Sequence, residues 1–186
     1  MRVDATELPG VLLVTPDLFV DTRGFFVETY HEERYVQAGV TERFVQDNHS
    51  RSGLGTLRGL HAQRTRPQAK LVRCIQGLIW DVAVDIRQGS PTFGRWVGAE
   101  LGADTATQIY VPRGFAHGFA VLSETAEVEY KCTDYYAPQD QFTVRWDDPQ
   151  LGIAWPLKNP VLSAKDAQAP LLRDLAAGGI LPKFGA

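Results

Sequence analysis

Cysteine is nearly absent from this chain, with two residues, Cys74 and Cys132, in 186. Each stands in an apolar, strand-like run. They read as reduced core residues of a cytoplasmic protein, and they exclude a disulfide framework. Positive charge is also short. Nineteen Lys and Arg face 22 Asp and Glu, for a net charge of −3, so no basic excess exists to neutralise the phosphates of a nucleic acid. A small anionic ligand held by a few arginines stays open. No apolar run is long enough to span a membrane, and Met1 to Gly10 lacks the apolar core of a signal peptide. Histidine is limited to His31, His49, His61 and His117, with no His-x-His pair. An iron centre of the oxygenase kind would have to be assembled from these scattered rings, with Glu28 as its carboxylate. Internal repeats and low-complexity tracts are missing too.

What is present is an ordinary globular composition, 44% hydrophobic and 22% charged, enough for one domain over residues 1–186 with a full core. The dominant pattern is period two. Gly10 to Thr15 is a short strand stopped by Pro16. Asp21 to Gly24 is a turn with Gly24 free to take a positive φ. Phe25 to Tyr30 alternates, placing Arg23 at a strand mouth and Glu28 inside a strand. His31 to Ala38 is a first short helix that Gly39 can end. Arg43 to Ser52 returns to strand, with Gln46 and Asn48 on one face and Asp47 and His49 on the other. Leu78 to Ile86 carries the clearest stripe, Trp80, Val82, Val84 and Ile86, after a tight-turn pair at Gln76-Gly77. Phe93 to Leu101, Thr107 to Val111, Phe115 to Leu122, Glu127 to Thr133 and Phe142 to Trp146 are further strands. From about residue 147 the periodicity gives way to an irregular tail with one helix, Ala167 to Ala176. Many short strands with Gly and Pro turns mean an all-β barrel or sandwich, and a barrel mouth is a usual place for a small-molecule site.

The chemistry concentrates between Leu57 and Arg73. Taken as a regular strand, Leu57 to Gln63 puts Leu57, Gly59, His61 and Gln63 on one face. Arg58 points the other way unless a bulge re-aims it. After a loop broken by Pro67, the strand from Lys70 places Lys70, Val72 and Cys74 together. Paired as a hairpin, the two strands let an imidazole and an ammonium look into one cavity. A histidine near neutrality beside a fixed cation suits proton abstraction next to a carbonyl. On these residues alone, the favoured reading is a buried, hydrogen-bonded histidine and a lysine on a solvated face.

The motifs taken together carry more. Asp21-Thr-Arg-Gly-Phe-Phe-Val-Glu28, Gln46-Asp-Asn48, Leu57-Arg-Gly-Leu-His61, Gln68-Ala-Lys70, Asp81-Val-Ala-Val-Asp-Ile-Arg87 and Gly89-Ser-Pro-Thr-Phe-Gly94 occur in order. Tyr110-Val-Pro-Arg-Gly-Phe-Ala-His-Gly-Phe119, Glu129-Tyr-Lys-Cys-Thr-Asp-Tyr-Tyr136 and Leu162-Ser-Ala-Lys-Asp166 follow. In this order they resemble the dTDP-4-dehydrorhamnose 3,5-epimerase family from about Gly10 to Pro182. The resemblance implies an all-β, cupin-type jelly roll, a homodimer, and a dTDP-linked 4-keto-6-deoxyhexose substrate inverted at C3 and C5 without metal or organic cofactor. Relatives that invert C3 alone or C5 alone belong to the same resemblance. It implies His61 as the base, oriented by Asp166, with Lys70 stabilising the enolate and Tyr130 as the acid on the other face of the sugar. It gives Arg23, Glu28, Gln46, Asn48, Arg58, His117 and Lys165 to the substrate and diphosphate, and Tyr136 to the nucleotide base. Phe26, Asp47 and Gln141 join the substrate-binding set. Two positions depart from the common pattern: Ala62, where many members carry an aromatic residue, and Gln141, where many carry glutamate.

Overall fold

Period-two alternation becomes thirteen strands. In the computed structural model, which describes residues 1–185, they build two antiparallel sheets and a separate hairpin. The first sheet runs β1 (Arg2–Ala5), β2 (Leu12–Thr15), β10 (Gln108–Val111), β7 (Lys70–Gln76), β12 (Thr125–Cys132) and β5 (Gln46–Gly53). The second runs β13 (Gln141–Thr143), β6 (Leu57–Gln63), β11 (Phe115–Val121), β8 (Leu78–Asp85) and β9 (Trp96–Gly102). β3 (Leu18–Asp21) and β4 (Gly24–Val27) pair with each other. Three short helices, α1 (Glu32–Gln37), α2 (Ala164–Ala167) and α3 (Leu172–Ala177), complete the fold. This is the expected all-β architecture.

Three apolar layers hold it. The inner faces of the sheets meet through Val72, Cys74 and Val128 on one side and Ile79, Ala83, Phe115 and Phe119 on the other. The stripe Trp80, Val82, Val84 and Ile86 points away from this interior. It packs under the C-terminal tail, against Leu151, Leu172, Leu175 and Leu181. An apolar outer face must be covered, and the irregular tail is its cover. The helix expected over Ala167 to Ala176 is two helices, because Pro170 removes an amide donor and ends the first. The third layer seats Tyr35 of α1 on Val14, Leu71 and Tyr110 of the six-stranded sheet.

Two expected hairpins are absent. β7 pairs with β10 and β12, while β8 pairs with β11 and β9, so Gly77 (φ +79°) carries the chain from one sheet to the other. Likewise β6 pairs with β11 and β13 and lies in the sheet opposite β7. His61 and Lys70 therefore meet across the interior rather than along one hairpin.

Candidate active site

The alternation within β6 is broken. Arg58 lies opposite Phe119 and His61 opposite His117, so three steps on β6 match two on β11. Cross-strand partners share a face, so the extra residue turns both Arg58 and His61 toward the interior. The regular-strand reading, with Leu57, Gly59 and His61 on one face, is corrected on this point. Glycine is required at the bulge. Gly59 has φ +134°, and a Cβ there would stand 2.6 Å from Gly118 Cα.

His61 lines a cavity of ≈ 290 Å³ at the mouth of the two sheets. Its Nε2 lies 2.7 Å from Asp166 Oδ1, a contact 105 residues apart in sequence. α2 delivers that carboxylate: the Ser163 hydroxyl caps the helix by accepting from Asp166 N at 3.1 Å, which fixes the backbone behind the ring. Burial pulls the His61 ring below the usual imidazole range. The Asp166 bond and charge oppose that pull, while Lys70 and His117 add to it. For Asp166, burial acts to raise the carboxyl. The His61 bond and charge, with Ser163 and the Gly59 N–H, outweigh it and hold the group low. The pair is thus a neutral ring and an ionised carboxylate. Asp166 accepts the Nε2 proton and Nδ1 is left as the free base.

The opposite wall comes from the six-stranded sheet. Lys70 and Tyr130 both line the cavity, with the Lys70 ammonium 5.8 Å from the Tyr130 ring centre. Burial lowers the lysine, against the pull of Cys132 and Asp81. Burial raises the Tyr130 phenol, aided by Cys132 and opposed by Arg58, so the hydroxyl keeps its proton. Gln46 and Asn48 share the inner face of β5 and line the same cavity, joined by a 3.0 Å bond from Gln46 Nε2 to Asn48 Oδ1. Gln46 Oε1 also accepts from Tyr136 N at 2.9 Å, and the Tyr136 hydroxyl donates to Gln141 Oε1 at 2.8 Å. Tyr136 and Gln141 complete the rim, and Ala62 reaches it too.

Other expected residues lie elsewhere. Arg23 is in the β3–β4 turn, bonded to Asp21 and exposed. Phe26 is exposed on the same hairpin. Glu28 lies just past β4, not inside a strand, because that strand ends at Val27, and it pairs with Arg34 at 2.7 Å. Asp47 faces outward, bonded to Lys131 at 3.0 Å, because it alternates with the inward Gln46 and Asn48. Lys165 is exposed on α2. Arg58 donates to the Ser52 hydroxyl at 2.9 Å, near the interior but outside the cavity lining. His117 is buried, its Nε2 on both oxygens of Asp81 at 3.0 and 2.9 Å. Sequence reasoning missed Asp81. The available signal was a carboxylate in the middle of a strand, flanked on both sides by apolar residues. Gln63 was missed too. It ties the two rim loops together, donating to Arg66 O and Tyr135 O and accepting from Ala137 N. Among the described residues, no group of three or more His, Cys, Asp or Glu side chains is placed to hold a metal ion, and no helix is long and apolar enough to cross a membrane.

A ring held between a base and a hydroxyl on opposing sheets is an arrangement for chemistry on both faces of one molecule. Comparison with known proteins agrees with that geometry. The family model described as dTDP-4-dehydrorhamnose 3,5-epimerase matches residues 5–174. The chain belongs to this family. It is 51% identical to the dTDP-4-dehydrorhamnose 3,5-epimerase of Pseudomonas aeruginosa over 176 residues, covering 94% of this chain and 97% of that one. The Neisseria gonorrhoeae enzyme of the same name is 52% identical over 167 residues, 89% of this chain, which spans about half (51%) of that longer protein. Among solved structures, the dTDP-6-deoxy-D-glucose-3,5-epimerase of Legionella pneumophila, in complex with dTDP-4-keto-L-rhamnose, superposes with a TM-score of 0.95. The two are 49% identical, over 100% of this chain and 99% of that one.

Proposed function

We propose that this chain inverts dTDP-4-keto-6-deoxy-D-glucose at C3 and C5, giving dTDP-4-keto-L-rhamnose for dTDP-L-rhamnose biosynthesis. The observation that carries the reading is the His61–Asp166 pair facing Tyr130 across one cavity, from opposite sheets, with Lys70 beside Tyr130. His61 Nδ1 takes the proton from a carbon next to the C4 ketone. The C–H electrons pass into a carbon–carbon double bond and onto the ketone oxygen, where the Lys70 ammonium stabilises the enolate. Tyr130 returns a proton to the other face and becomes a phenolate, which Arg58 favours. Solvent then takes the proton from His61 and restores that of Tyr130. No redox partner is needed, because one proton leaves and one returns at each carbon.

Gln46, Asn48, Tyr136 and Gln141 hold the substrate at the rim, Tyr136 against the base, and Arg58 and Lys165 attract the diphosphate. We further propose a homodimer. The hairpin exposes Phe19 (61%), Val20 (72%), Phe25 (65%) and Phe26 (68%), an apolar patch that invites a partner. β5 is an edge strand with free backbone groups. A partner's hairpin added to this edge brings its Arg23, Phe26 and Glu28 to the cavity mouth. Two buried free thiols suit a reducing cytoplasm.

Turnover in heavy water tests the function. Deuterium at both C3 and C5 of the sugar is expected. Label at one carbon makes the chain a monoepimerase, and label at neither, with binding retained, overturns the assignment. Monomeric mass in sedimentation at micromolar concentration would remove the dimer.

A further inference from the structure

The cavity that holds His61 is polar along most of its lining, but one side of it is apolar. Ile86, Phe115 and Pro182 line that side, with Gly114 between them. They form one patch. Ile86 N donates to Gly114 O at 3.4 Å, which joins the end of β8 to the start of β11. Gln88 N donates to Pro182 O at 2.8 Å, which lays the C-terminal segment along the same end. The patch adjoins the ring of His61. Phe115 and His117 alternate onto one face of β11, and His117 stands opposite His61. The remaining apolar lining residues, Ala62 and Pro67, belong to β6 and the loop after it.

Pro182 gives this patch its open surface. Ile86 and Phe115 are almost wholly buried, whereas Pro182 is half-buried. Its place is fixed from both ends. Leu181 is buried under the Trp80 stripe. Lys183 pairs with Gln88, and Phe184 N donates to Gln88 O at 3.0 Å. The Arg87 guanidinium lies over the rings of both Phe115, at 4.5 Å, and Phe184, at 5.1 Å, and donates to the buried Asp85 at 2.9 and 2.8 Å. The strap Leu181–Phe184 is thus tied to the cavity wall through Arg87. The proline ring locks its own backbone, so the surface it presents is rigid.

A 4-keto-6-deoxyhexose offers this wall one matching group. C2 and C3 carry hydroxyls and C4 the ketone, and each would lose hydrogen bonds against Pro182. The methyl on C5 has none to lose, and its burial is favourable. C5 is also next to the ketone, so the methyl lies one bond from a carbon whose proton His61 has to reach. We propose that Pro182 is a specificity-determining residue, which seats the C6 methyl and discriminates against sugars that keep the 6-hydroxyl. The inference rests on the reading of the substrate as a dTDP-linked 6-deoxyhexose bound in this cavity.

Two stable sugars that differ only at C6, dTDP-6-deoxyglucose and dTDP-glucose, test it by calorimetry on the full chain without turnover. The 6-deoxy sugar should bind more tightly by about 10- to 100-fold, the range over which an apolar pocket rejects an added hydroxyl or carbon. Pro182→Ser sets a hydroxyl at the seat. The preference should then fall by about tenfold, while dTDP alone keeps its parent affinity. Phe184→Ala leaves every lining side chain in place but frees the strap, and it should lower the same preference. Equal affinity for the two sugars in the parent protein overturns the proposal. So does a preference unchanged in Pro182→Ser, or in Phe184→Ala where the first variant does not fold. Loss of affinity for dTDP and both sugars in equal measure, the effect of a tail that only supports the fold, overturns it too. Absence of deuterium exchange on the 4-keto sugar, with the C6 preference intact, would instead defeat the proposed reaction and leave the methyl seat standing.

Discussion

Asp166→Asn removes a charge and changes little else. The side chain is buried and does not line the cavity, so substrate binding should be nearly unchanged. What is lost is the attraction between the carboxylate and the imidazolium that forms as His61 takes the carbon proton. Charges about 4 Å apart at an effective dielectric constant of about 20 attract by about 4 kcal/mol. The asparagine oxygen retains part of this as a dipole, leaving a loss of about 3 kcal/mol, or about two orders of magnitude in kcat. KM should stay near the parent value, the signature of an interaction that matters in the transition state. The pH profile adds a second reading. Asp166 raises the His61 ring, so D166N should move the acid limb to lower pH while the plateau falls. The assay is proton exchange and inversion in heavy water across pH. Parent turnover in D166N, or an acid limb moved upward, would refute the assignment.

Lys70→Met should lower kcat more than it raises KM, because the ammonium meets the oxygen that becomes negative. In the parent enzyme the alkaline limb should fall below the usual lysine value of 10.5, since burial lowers Lys70 while Tyr130 is raised from 10.0. Lys70→Arg should push that limb upward, and a limb that stays in place would return it to Tyr130. Tyr130→Phe should keep deuterium exchange at carbon through His61 while inversion falls; parent rates of both would make Tyr136 the next acid to test. Gly118→Ala would set a Cβ 2.7 Å from Arg58 O and 3.0 Å from Gly59 Cα, forcing β11 from β6. A loss of about 1–3 kcal/mol in denaturant unfolding is expected, with reduced turnover as His61 shifts.

The fold was legible because its signals are local. The alternation in Leu57 to Gln63 and in Leu78 to Asp85 is visible without tertiary information, and both strands form with nearly the expected bounds. Which strands pair is not local, so Gln76-Gly77 resembled a hairpin turn and proved to be a crossing between sheets. The same limit hid the function of the Trp80 stripe, since a period-two pattern says that one face is buried but not by what. At the site, Gln46 and Asn48 were readable as a same-face pair. The bulge at Gly59 was not, because glycine in a strand permits a bulge without specifying one. Arg23, Phe26 and Glu28 lie on or beside a hairpin outside the cavity lining, and only the proposed second copy would bring them to it.

An epimerase has to reach both faces of a single carbon, and one sheet offers side chains to a ligand from one side only. Two sheets face to face remove that restriction. Here the proposed base, His61, stands on β6 in the five-stranded sheet, and the proposed acid and cation, Tyr130 and Lys70, stand on β12 and β7 in the other. The crossing at Gly77 puts β7 and β8 in different sheets. Lys70 and Asp81 are eleven positions apart in the sequence and approach the interior from opposite walls. The same separation explains why losing Tyr130 should leave exchange intact. With His61 as the proposed base, it alone would remove and return protons on its own face, and inversion would need a donor from the opposing sheet.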